Sequence, residues 1–340
     1  MGVNALTANT TGSYNLGAGV NALAANTTGA YNLGVGVNTL AANTTGAYNI
    51  GVGVGALAAN TTGSLDIGTG INALAANTTG NYNTAEGGYS LANNTTGSDN
   101  TAIGYVSAYT NTTGSFNTAV GAVSFLANTT GTYNSSIGFN SLTANTTGIY
   151  NTALGASSLG SNTTGYNNSS NGASSLYNNT SGYNNTAIGF LSLQSNTTGF
   201  QNTGIGTMTL NSNTTGNNNV AIGSNALINL NGAAANSNTA VGYNTGLGLI
   251  TGANNTIIGS NVSGLASGLT GAVILATGDG TIRADFGNTT ASTWTLTAPT
   301  VKATGILSAT SFTANGTAGV SCSGVPTASF AVTNGIVTHC

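Results

Sequence analysis

The chain has 340 residues, of which only 2% are charged, with a formal net charge of −3; an ordinary globular domain carries about 25%. Its two cations, Arg283 and Lys302, exclude the clustered Lys and Arg that nucleic-acid binding requires and argue equally against an anionic membrane surface. Disorder is disfavoured as well, because disordered chains are rich in charge and Pro, whereas this one has two prolines and regularly placed Ile, Val, Leu and Tyr.

The N-terminus, Met1-Gly2-Val3-Asn4-Ala5-Leu6, has neither the basic region nor the apolar core of a secretory signal. From there a repeat takes over. Asn-Thr-Thr-Gly begins at Asn9, Asn26, Asn43, Asn60 and onward to Asn213, in steps of 17, with Asn179 opening the variant Asn-Thr-Ser-Gly. A second glycine column (Gly2, Gly19, Gly36, Gly53 and onward) keeps the same step to Gly223. Two further copies end at Gly242 and Gly259, after a two-residue insertion within 228–237.

Self-similarity at a fixed period is the signature of a stacked repeat architecture. A helical unit is excluded, since every copy holds several Gly, Asn and Thr, all poor helix formers. The alternation of Tyr14, Leu16 and Ala18 with Asn15 and Gly17 predicts a strand with one face buried. The apolar set is expected inside, with Ile103 at the last inward position of its copy. A second short strand is expected through Asn21-Ala22-Leu23, placing Leu23, Leu40 and Leu57 in one column. Asn-Thr-Thr-Gly then turns the chain, its Gly tolerating positive φ.

The reading is an all-β fold: a parallel β-solenoid or β-roll of 17-residue coils over 1–261. Each repeat position becomes a ladder, with Asn15, Asn32 and Asn49 forming an amide column that Asp66 interrupts. Gly19, Gly36 and Gly53 form a structural column, and the tyrosines from Tyr14 onward are expected to stack as an inner ladder. About fifteen coils at ~4.8 Å make a rod of roughly 70 Å. Seventeen residues enclose little core, so chains are expected to associate, as a homotrimer.

Beyond the array, the longest apolar run, Ala272–Ala276, is strand-sized and far below the ~20 residues of a membrane-spanning helix, so no membrane insertion is expected. Gly278-Asp279-Gly280 reads as a hairpin turn between that run and Thr281-Ile282-Arg283. Residues 262–318 read as a β-rich trimeric shaft and 319–340 as a small β tip. Trp294 lies in the alternating strand Thr293–Thr297, where it is either core or a sugar-stacking ring. Cys322 and Cys340 are read as a disulfide, as free thiols, or, with His339, as metal ligands. Their spacing lacks a zinc pattern, so no metal is assigned. The acids Asp66, Glu86, Asp99, Asp279 and Asp285 are scattered, so no catalytic residue, cofactor or enzymatic activity is assigned.

Asn-Thr-Ala-Ile-Gly at 100–104 and 185–189 resembles the head repeats of trimeric autotransporter adhesins, whose unit is shorter. An adhesin of that kind would add a signal, a stalk and an anchor, none of which this sequence shows. The array followed by a distinct C-terminal region more closely resembles bacteriophage tail-fibre proteins. The segment Thr251–Ser260 looks like the last coil of such arrays, and Gly319–Thr327 with Asn334–Cys340 looks like their C-termini. That resemblance implies a virion protein acting outside the cell: a homotrimeric rod with a tip that contacts a host-surface glycan, Trp294 and His339 being the candidate receptor contacts. It also implies other virion or fibre proteins at the N-terminal end, where the repeat begins without a cap. The alternative is a self-assembling extracellular filament or cell-surface adhesin of stacked solenoids.

Overall fold

The computed structural model describes residues 2–282, together with the backbone of 283–286, Thr313–Ala314, Thr317–Ala318, Val332–Thr333 and Ile336–Val337. The chain divides into two compact units, Met1–Thr297 and Ala298–Cys340. Trp294, Cys322, His339 and Cys340, and with them the expected disulfide and receptor contacts, lie outside the described residues.

The first unit is a β-solenoid. Three-residue strands recur once per coil, from β1 (Leu16–Ala18) and β2 (Leu33–Val35) through β13 (Val220–Ile222), β14 (Thr239–Val241) and β15 (Thr256–Ile258). Each pairs in parallel with the next, as in Leu16↔Leu33, Gly17↔Gly34 and Ala18↔Val35. The offset is one repeat everywhere except from β13 to β14, where Val220 pairs with Thr239 across the insertion. The parallel sheet continues into β16 (Val273–Ala276), with Thr256 opposite Val273. There it reverses: β17 (Ile282–Phe286) runs antiparallel to β16, joined through the Gly278–Gly280 turn read from the sequence. In the second unit β18 (Thr313–Ala314) pairs antiparallel with β19 (Thr317–Ala318), and β20 (Val332–Thr333) with β21 (Ile336–Val337).

The interior of a coil is small and half polar. In the coil around Leu40 the buried positions are Gly34, Thr39, Leu40, Asn43, Gly46 and Asn49. Leucine is therefore the one large apolar side chain inside that coil. The column Leu23, Leu40, Leu57, Leu74 is fully buried, with Phe125 taking the same place further along. Burial of each such side chain contributes roughly 1.5–3 kcal/mol.

The inward face of the strand is the opposite of the one expected. Ile103 and Leu16 point outward, 38% and 54% exposed, while their respective strand neighbours Ala102 and Gly17 are buried. The cause is volume. A Cβ placed on Gly34 would lie 3.4 Å from Leu23 Cγ and 3.5 Å from its Cδ1. Where a leucine from the facing wall fills the lumen, the inward strand position has room only for Gly, Ala or Ser; Ile257 takes that position in the coil where Gly246 replaces the leucine.

The second expected strand, Asn21–Leu23, is also replaced. Asn21 and Leu23 have φ of 56° and 54°, and Tyr31 has 60°. Left-handed residues at three sites per coil turn the backbone in tight corners where a strand would run straight. Non-glycine residues rarely adopt this region. Here the conformation aims Leu23 inward, and burial of its side chain offsets the strain.

The two glycine columns have different physical origins. Gly36 holds a φ of 135°, a region that favours glycine. The glycine closing Asn-Thr-Thr-Gly, expected to need positive φ, does not adopt it. Its reason is close approach: a Cβ on Gly46 would sit 2.2 Å from Gly63 O and 2.5 Å from Asn43 Oδ1.

Candidate interaction surfaces

Polar ladders hold the coils in register. The expected amide column is present: the Asn49 backbone N–H donates to Asn32 Oδ1 at 2.9 Å, and Asn49 Nδ2 donates to Gly63 O at 2.8 Å. A second buried amide ladder runs through the Asn of Asn-Thr-Thr-Gly, which sequence reasoning assigned to the turn alone. Asn43 Nδ2 donates to Asn26 Oδ1 at 2.7 Å and to Gly46 O at 3.0 Å. Its signal was the invariance of Asn where Thr or Ser would equally serve a turn. At the turn itself the N–H groups of Thr27, Thr28 and Gly29 all point at Thr44 O, at 3.0, 3.2 and 3.2 Å.

The second ladder ends at the insertion. Each amide donates toward the preceding coil, so the last Oδ1 needs a donor from the next. After Asn213 that position is Leu230, which is buried. Asn213 Oδ1 is accordingly buried with no hydrogen-bond partner.

Asp66 occupies the first amide column. It is fully buried and accepts from the Asn83 N–H at 2.8 Å, Asn83 Nδ2 at 3.1 Å and Asn77 Nδ2 at 3.1 Å. Burial pushes its pKa up to about 7, against the opposing pull of these hydrogen bonds.

The outer surface carries the apolar columns. The outward residues of the strands run Leu16, Leu33, Ile50, Ile67 and then Thr or Ser, apart from Val220 and Val273, along one line. Ile103, Val120, Ile137, Leu154, Ile188 and Ile205 lie along the other, which also holds Thr69, Glu86 and Asn171. The tyrosine column stacks as expected but outside the coil, Tyr14 being 78% exposed. Tyr14, Tyr31 and Tyr48 stack with ring centroids 4.8 and 4.9 Å apart, and Phe116, Tyr133 and Tyr150 repeat this at 4.8 and 5.0 Å. From Tyr166 the ladder moves one residue earlier in the repeat and continues through Tyr183 to Phe200. Within these stacks the ring faces cover one another, so edges rather than faces are offered to a sugar.

Among the described residues no group of three His, Cys, Asp or Glu is placed to hold a metal ion, and no helix is long and apolar enough to cross a membrane. Asp66 lies in the interior, Glu86 on the outward strand face and Asp99 in the left-handed corner column of the tyrosines; Asp279 accepts from the Thr277 hydroxyl in the β16–β17 turn. The structure does not bring them together. Comparison with known proteins finds no matching family model, no matching curated protein and no matching solved structure.

Proposed function

We propose that the chain is a structural fibre protein of a phage virion, in which the solenoid is a rigid spacer and the C-terminal region is a host-binding tip. The observation that supports this is the unbroken ladder from β1 to β16. It spends most of the chain on a one-dimensional, hydrogen-bonded stack about 70 Å long whose described acids are dispersed, an arrangement suited to spacing rather than chemistry. Three chains side by side would present three tips, and weak contacts to a surface glycan through Trp294 and His339 would add by avidity.

Electron microscopy of the purified full-length chain tests the fibre. Discrete rods of uniform length are expected, whereas indefinite filaments would favour the alternative, a self-assembling extracellular filament or adhesin. The tip is tested by binding of the full chain to host cells and to surface glycans. Trp294→Ala is expected to lower binding at least tenfold with the rod unchanged, and unaltered binding would reject that residue's role.

A further inference from the structure

The outward face of the parallel sheet carries aliphatic side chains along its length, and nothing among the described residues covers it. Its two columns contain Ile50, Ile103, Ile137, Leu154, Ile188 and Ile222, each 36% exposed or more. The face follows the strands from β1 to β16. At ~4.8 Å per strand it is about 70 Å long, and two outward columns make it about 10 Å wide, on the order of 700 Å². The face is apolar over roughly half of that area, because one column is Thr or Ser along most of its length, which is comparable with the largest apolar patch of a typical monomer, roughly 300–600 Å². The whole face approaches the ~800 Å² per partner of a stable protein–protein interface.

We propose that this face is the lateral contact between copies of this chain, packed parallel and in register; the inference rests on the reading that the chains associate, and adds which surface joins them. Three observations select a second copy as the occupant. The face repeats at the strand spacing over its whole length, and a partner that contacts all of it must present the same pitch. It carries one charged residue, Glu86, so it offers no electrostatic pattern to a partner of different sequence. Its composition also changes along the rod. The near end is aliphatic in both columns (Leu33 and Val35, Ile50 and Val52), whereas later strands pair an outward Thr with an outward Ile, as in Thr101 with Ile103 and Thr186 with Ile188. Parallel register matches aliphatic to aliphatic and Thr to Thr along the whole face; antiparallel packing would set Leu33 and Ile50 against the Thr-bearing strands at Thr256 and Thr239. In register, Glu86 of one copy lies near Glu86 of the next, a like-charge contact that weakens the association.

The test measures solution mass by light scattering for the full chain and for Ile137→Lys, Ile188→Lys and their combination, with Thr147→Lys in an exposed turn position as control. Far-UV circular dichroism confirms that each retains its β content. Wild type and T147K are expected to be oligomeric and the double variant monomeric. Glu86→Gln is expected to tighten association several-fold at low salt. A photo-crosslinking residue at position 188 is expected to capture the region around 188 of a second copy; this reads the contact without a charge change, should the lysine variants fail to fold. An oligomeric wild type whose double variant stays oligomeric, or whose crosslinks map elsewhere, would overturn the face while leaving association intact. A monomeric wild type would overturn both.

Discussion

Asp66 is the one place where the amide ladder carries a charge, and replacing it with Asn isolates the effect. The usual carboxyl value of 3.8 rises to about 7 in the folded chain because burial disfavours the carboxylate. The sign follows directly. The folded state holds the proton more tightly than the unfolded state, so the contribution is most favourable below about pH 4. It is lost as pH rises toward 7, and is constant above that. A shift of about three units at 1.36 kcal/mol each is on the order of 4 kcal/mol. Asn at 66 removes that titration, and its amide can donate to the Gly80 carbonyl as Asn49 does to Gly63 O. D66N is therefore expected to be more stable than wild type by up to about 4 kcal/mol at pH 8 and nearly equal to it at pH 4. Denaturant unfolding across this pH range, followed by circular dichroism, measures the difference, and the remaining titratable groups cancel between the two proteins. Because solenoids can open a few coils at a time, hydrogen exchange at the Asn83 amide, which donates to Asp66 Oδ1, gives the local value. A difference that is the same at pH 4 and pH 8, or a D66N no more stable at pH 8, would refute the reasoning.

Two glycines of one coil should respond oppositely to a methyl group. Gly34→Ala places its Cβ at ordinary contact distance from Leu23 and is expected to be neutral or stabilising by up to about 1 kcal/mol, whereas Gly46→Ala meets the Gly63 carbonyl at 2.2 Å and is expected to lose about 1–3 kcal/mol or more; paired melting curves decide. Leu142→Ala empties the fully buried leucine site and should cost about 2–5 kcal/mol in denaturant unfolding. Asn145→Leu breaks the second ladder in mid-course, where Asn162 Nδ2 donates to Asn145 Oδ1 at 2.8 Å. Asn213→Leu removes an oxygen that already has no partner, and should be milder by about 1–3 kcal/mol, the penalty of one buried unpaired group. Equal losses would show that the ladder end carries no such penalty.

Much of this molecule was legible from spacing alone. Identical residues one repeat apart must meet when coils stack, so the sheet register, the Leu23 column and the Asn15 column followed from the count between copies. The Gly278–Gly280 turn followed from its composition. Which surface the apolar columns belong to did not. Strand alternation separates two faces without saying which is inside, and apolar content pointed Leu16, Ile103 and the tyrosines inward. The tertiary structure decided otherwise, because a coil this narrow takes one large side chain, and left-handed corners at residues such as Leu23 deliver it from the facing wall. The strand's small side chains must then fill the interior, and its aliphatic ones are displaced to the exterior. The repeat by itself determined the ladder; the volume enclosed by the closed coil determined which side of the ladder faces the world.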